Sequence, residues 1–157
     1  NIKGHEKRIY PRIGAIIETP GFYPNLTGTE NLEIFAKLRG TPRPNAVKNA
    51  LEVVGLPYRD KKLFSKYSLG MKQRLGIAAA VMEHPDLILL DEPTNALDES
   101  GVDMLGDIVK KEKDRGAVLI VSSHDRDILE DISDEIYDLE QGEIVRHSIK
   151  GEKRSEG

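Results

Sequence analysis

The chain has 157 residues, a formal net charge of −4, 38% hydrophobic and 32% charged residues, and no cysteine. That balance belongs to a folded chain of about one domain, long enough to bury a core, rather than to a disordered one. It excludes a disulfide framework and thiolate metal sites, makes no electrostatic case for nucleic acid as the main partner, and contains no apolar run long enough to cross a bilayer.

The first eight residues, Asn-Ile-Lys-Gly-His-Glu-Lys-Arg, lack the apolar stretch of a signal peptide, so any membrane association is expected to come through a partner. Ile13 to Ile17 reads as a short strand, stopped by Glu18-Thr19-Pro20-Gly21. Thr27 followed by Glu30 is a capping box for a helix through Leu32, Ile34, Phe35 and Leu38 that Gly40 closes. A second helix from about Asn45 carries Val47, Leu51 and Val54 on one face and stops at Gly55.

From Ser68 the pattern turns to strand and helix in alternation. Ser68 caps a helix with Leu75, Ile77, Ala78 and Val81, ended by His84-Pro85. Leu87 to Leu90 shows no polar alternation, as expected of a parallel strand covered on both faces. A helix with Val102, Leu105, Ile108 and Val109 follows, then a strand from Ala117 to Val121, then a helix with Ile128, Leu129 and Ile132. Such crossovers imply a parallel α/β sheet. Glu135 to Leu139, Gln141-Gly142 and Glu143 to His147 read as a hairpin, and the tail from Lys150 is charged.

Asp91-Glu92 falls at the carboxyl end of the apolar strand, where open α/β sheets place ligands. An aspartate there can hold Mg²⁺, and the adjacent glutamate can polarise a water that attacks a γ-phosphate; the competing reading is two acids at the start of the next helix. Ser68-Leu69-Gly70 opens a helix whose hydroxyl and backbone N–H groups suit an anion, or serve as an ordinary N-cap. His124 ends a strand; His5, His84 and His147 have no metal-site spacing. Gly101 and Gly106 have the glycine spacing of a phosphate loop, but Asp107-Ile108 follows where Lys-[Ser/Thr] is needed, so the chain carries no G-x-x-x-x-G-K-[ST].

Four segments occur together: Tyr67-Ser68-Leu69-Gly70-Met71-Lys72-Gln73-Arg74, Leu87-Ile88-Leu89-Leu90-Asp91-Glu92-Pro93, Asn95-Ala96-Leu97-Asp98 and Val121-Ser122-Ser123-His124. Jointly they resemble the signature, Walker B, D-loop and H-loop of an ATP-binding-cassette (ABC) ATPase. Ile17-Glu18-Thr19-Pro20-Gly21-Phe22-Tyr23-Pro24-Asn25-Leu26-Thr27, with the Tyr-Ser-Leu-Gly-Met signature, resembles the bacitracin and lantibiotic resistance branch of ABC exporters. Relative to the family's L-S-G-G-Q, Leu69 and Met71 are replacements while Gly70 is kept, and Glu18 stands where a Q-loop glutamine is usual.

The resemblance implies a partial P-loop NTPase: a parallel sheet, a helical subdomain and a C-terminal β-hairpin, within one partial domain over 1–157. About 19–68 would hold the Q-loop and helical part, about 69–150 the signature helix, Walker B, D-loop and H-loop, and 151–157 the tail. It assigns Glu92 and His124 to catalysis, Ser68, Gly70, Glu18 and Asp98 to ATP binding, and Asp91 and Glu18 to Mg²⁺. Its partners would be a second cassette packed head to tail and a transmembrane permease docking near Glu18–Asn31, where Phe22 and Tyr23 would form an exposed aromatic patch or else fill a junction. The setting implied is cytoplasmic, peripheral on the inner face of the plasma membrane. Without the phosphate loop the chain is expected not to hydrolyse ATP alone. The alternatives are a non-catalytic module that donates its signature to a complete cassette and a soluble cassette acting on DNA or ribosomes, for which Lys61, Lys62, Lys66 and Lys72 are too sparse a basic group.

Overall fold

The computed structural model describes residues 12–17, 21–40 and 43–151. Three strands, β1 (Ile13–Ile16), β2 (Leu87–Asp91) and β3 (Val118–Ser122), form a parallel sheet in the order β1-β2-β3. The register aligns Ile13, Leu87 and Val118 in one row and Ala15, Leu89 and Ile120 in another. Between β1 and β2 come α1 (Gly28–Arg39), α2 (Ala46–Val53) and α3 (Leu69–Val81), and α4 (Glu99–Asp114) joins β2 to β3. The expected alternation therefore appears as right-sized crossovers between parallel strands.

The helix boundaries follow the cap chemistry. Thr27 accepts from the Glu30 amide while the Glu30 carboxylate accepts from the Thr27 amide, a complete capping box, and Gly40 closes α1 in the left-handed conformation. Ser68 accepts from the Met71 amide at the start of α3, and Asp98 from the Gly101 amide at the start of α4. α3 is buried all along its second half, from Leu75 to Val81, so helix packing rather than amphipathic periodicity holds it. It approaches the sheet at Gly14, where an added Cβ would lie 1.8 Å from the Ala80 carbonyl oxygen. Only a residue without a side chain lets strand and helix meet there.

One expectation needs correcting. Leu87 to Leu90 was expected to be covered on both faces, but only Ile88 and Leu90 are fully buried, while Leu87 and Leu89 are half-covered. The same face carries Val118 and Ile120, about 60% exposed each. An apolar run states that both faces avoid water; it does not supply the layer that covers the second one.

The described residues fall into two compact units, within Asn1–Ser122 and Ser123–Gly157. The second contains α5 (Arg126–Ile132), which buries no residue, and the hairpin of β4 (Glu135–Glu140) and β5 (Glu143–Ile149). Gln141 and Gly142 both have positive φ, the geometry of the tight turn that the Gln-Gly pair suggests. Among the described residues no helix is long and apolar enough to cross a membrane.

Candidate functional site

The acid pair sits where β2 leaves the sheet. Asp91 is the last residue of the strand, and its carboxylate accepts the hydroxyl of Ser122 from the paired position on β3. The next amide, of Glu92, donates to the Ser122 carbonyl at 3.0 Å. Glu92 itself has φ 46°, so the chain turns out of the sheet at this residue in a conformation that side chains other than Asn, Asp and Gly rarely adopt. Ser122 was no more than one of a pair of serines in the sequence; only strand register gives it this role.

α3 is fastened to that turn. Gln73 of α3 donates from Nε2 to the Pro93 carbonyl at 3.0 Å, and an added Cβ on Gly70 would lie 2.8 Å from the Ala96 carbonyl oxygen. Glycine at position 70 is thus a packing requirement as well as an open helix start. Ser68 and Leu69 remain exposed, Leu69 at 70%. Arg74, one turn further, reaches four groups: Nη1 donates to the Val54 carbonyl at 3.0 Å and to Met104 Sδ at 3.5 Å, and Nη2 to Asp98 Oδ1 at 3.0 Å and Ser100 Oγ at 3.2 Å. The sequence marked Arg74 only as part of the motif; its partners lie 20 to 30 residues away.

Asp98 serves the fold directly. Its Oδ1 receives the Ser100 hydroxyl, the Gly101 amide and Arg74. The Ser100 hydrogen bond first, and then the Gly101 amide, hold its carboxyl below the usual carboxylate range.

The remaining assignments are distributed differently. Glu18 lies outside the described residues. His124 belongs to the second unit, just before Asp125, which N-caps α5 through the Ile128 amide at 3.2 Å. Of the expected aromatic patch, Phe22 is a correction: it is 7% exposed and packs on Phe35 and Phe64 with ring centroids 5.1 and 5.2 Å away. Only Tyr23, 52% exposed, faces solvent. Its backbone is held by the fully buried Asn31, whose Oδ1 accepts the Tyr23 amide at 2.8 Å and whose Nδ2 donates to the Tyr23 carbonyl at 3.1 Å.

The donors at the strand end suit a hard cation, since the Asp91 carboxylate and the Ser122 hydroxyl are oxygens and Mg²⁺ takes one or two carboxylates with substrate phosphates completing its shell. Among the described residues no three His, Cys, Asp or Glu side chains gather as a self-sufficient metal site. A cation here would depend on phosphate oxygens.

Comparison with known proteins gives the family and the fold. Residues 2–95 match the ABC transporter family. The bacitracin transport ATP-binding protein BcrA of Enterococcus faecalis is 49% identical over 146 residues, 92% of this chain and 47% of that protein. The lantibiotic transport ATP-binding protein SrtF of Streptococcus pyogenes is 37% identical over 139 residues, 88% of this chain and 60% of that protein. Among solved structures, an ATP-binding cassette in a dimeric post-hydrolysis state with ADP and Pi superposes with TM-score 0.79 at 25% identity, covering 88% of this chain and 62% of that one. An ATP-binding subunit of an ABC transporter gives TM-score 0.85 at 25% identity, covering 95% and 63%.

The fold is that of an ABC ATPase cassette. The chain belongs to the ABC transporter family, with its relatives in the bacitracin and lantibiotic branch, and it spans about half the length of the BcrA proteins it matches.

Proposed function

We propose that this chain forms the catalytic-carboxylate and signature part of an ABC transporter's ATP-binding subunit, energising export of a peptide antibiotic or a related substrate. The observation that carries it is the joint between α3 and the β2 end, where Gln73 and Gly70 pin the signature helix to the Asp91-Glu92 turn. MgATP supplies the transferable γ-phosphoryl group. Asp91 would hold the Mg²⁺, with Glu18 as a further carboxylate ligand, and Glu92 would orient and polarise the attacking water, with His124 contacting the phosphate. Ser68 and Gly70 offer their exposed helix start to a nucleotide held by a second cassette packed head to tail, and Asp98 carries the adjoining loop. The relatives' names support the peptide-antibiotic cargo. The permease would dock near Glu18–Asn31, with Tyr23 as the exposed aromatic, and would hold the subunit on the cytoplasmic face of the membrane.

Residues 1–157 contain no glycine loop with a lysine to neutralise the β- and γ-phosphates. By itself the chain should therefore bind MgATP very weakly in a calorimetric titration. Fused behind a phosphate-loop segment of a cassette, it should bind, and Glu92→Gln in that fusion should keep ATP bound while slowing hydrolysis by about a hundredfold or more. Unchanged turnover would remove Glu92 from the catalytic role. The exposed Ser68-Leu69 start also supports a second reading, a signature donor to a complete cassette. In that case Ser68→Arg would abolish rescue of a cassette whose own signature is disabled.

A further inference from the structure

A cavity of about 160 Å³ lies between α2, the end of α3 and the last turns of α4. Its wall includes Ala50, Val81 and Ile108, all buried, while Arg43 and Lys111 stand exposed at its rim. His84 Nδ1 also lines it, a buried ring nitrogen with no hydrogen-bond partner and 3.6 Å from Glu112 Oε1. Glu112 is the acid of the lining, only 4% exposed, and Arg115 meets its charge at 2.5 Å. The lining therefore combines an apolar wall, an unsatisfied nitrogen and two rim cations.

We propose that this cavity binds a small organic carboxylate, its apolar body against Ala50, Val81 and Ile108 and its charge between Arg43 and Lys111. The size follows from the volume, since an apolar cavity of about 150 Å³ accommodates benzene. The sign follows from the rim, and a monoanion is favoured over a dianion because the Glu112 carboxylate shares the wall. The bound molecule would bridge α2 and α4, and α4 begins at Asp98 in the loop after the acid pair. The site is independent of the nucleotide reading, and its test contains no nucleotide.

Benzoate, benzyl alcohol and benzylamine are titrated separately into the ¹⁵N-labelled full chain, with backbone amide shifts as the readout. Benzoate should produce saturable shifts at Ala50, Val81 and Ile108, with a Kd of about 1 mM for so small a ligand. Benzyl alcohol should bind at least about tenfold more weakly, the loss of one charge-assisted contact, and benzylamine should give no saturable shift. The paired Arg43→Gln and Lys111→Gln substitutions, both at exposed positions, should weaken benzoate by about tenfold or more. Absent or unsaturable benzoate shifts, equal binding of benzylamine, or undiminished affinity in the double variant would each overturn the proposal.

Discussion

α3 and α5 each precede or follow a loop that carries a motif residue, yet they are held in opposite ways. From Leu75 to Val81 every residue of α3 is buried, and its first two turns are tied by Gly70, Gln73 and Arg74 to the loop after β2. α5 buries nothing; its Arg126 instead forms ion pairs with Glu130 at 2.9 Å and with Asp138 at 2.9 Å. The difference teaches that one group of motif residues rests on close packing, which has few alternative arrangements, while the other rests on exposed polar contacts, which salt and pH can loosen.

The strongest test of that contrast is Gly14→Val. With the new Cβ driven toward the Ala80 carbonyl, backbone has to move, and the first unit should lose about 3 kcal/mol or more in a urea melt. A loss under about 1 kcal/mol would mean that strand and helix separate easily and that the scaffold is not rigid. A smaller effect should come from Arg74→Met, which keeps much of the stem but leaves the Val54 carbonyl and the Asp98–Ser100 cluster without their guanidinium. About 2 kcal/mol should be lost, with faster amide exchange at Gly101, where the Asp98 cap weakens. Unchanged exchange there would show that Arg74 does not steady the loop.

The smallest effect belongs to the second unit and depends on pH. Glu135 accepts the Tyr137 hydroxyl at 2.8 Å and faces His147 Nε2 at 3.1 Å, and the Tyr137 bond first, then His147, lowers its carboxyl below the usual range. The folded hairpin thus binds that proton less readily than the unfolded chain does. Its stabilisation is complete above the unfolded carboxylate pKa and disappears as pH falls through the lowered folded one. Amide protection across β4 and β5 should decline over that acid window, and Glu135→Gln should flatten the decline. The same acid dependence in the variant would assign it to other carboxylates.

Local signals were legible in the sequence because their partners are local. The Thr27/Glu30 box, the Ser68 cap and the Gln141-Gly142 turn each join residues within four positions, and each is present as expected. The sheet was legible from the apolar run of β2 and from its crossovers. What could not be read depends on distant neighbours. Phe22 is an aromatic between Gly21 and Tyr23 whose burial is decided by Phe35 and Phe64, and the roles of Ser122 and Arg74 appear only once register and helix packing place them. The acid pair was legible by position, but the left-handed turn at Glu92 was not, because glutamate carries no sequence signal for positive φ.

The two apolar rows on the open face of the sheet bear on how this protein behaves in a cuvette. In residues 1–157 by themselves, Val118 and Ile120, with Ile17 at 65% exposure beyond the end of β1, leave apolar side chains open to solvent in the folded state. A dye such as ANS, normally taken as the mark of a loosened core, should light up on the folded chain and dim as urea disperses that surface. For residues 1–157 by themselves the fluorescence would count folded molecules, and the usual sense of the assay is reversed.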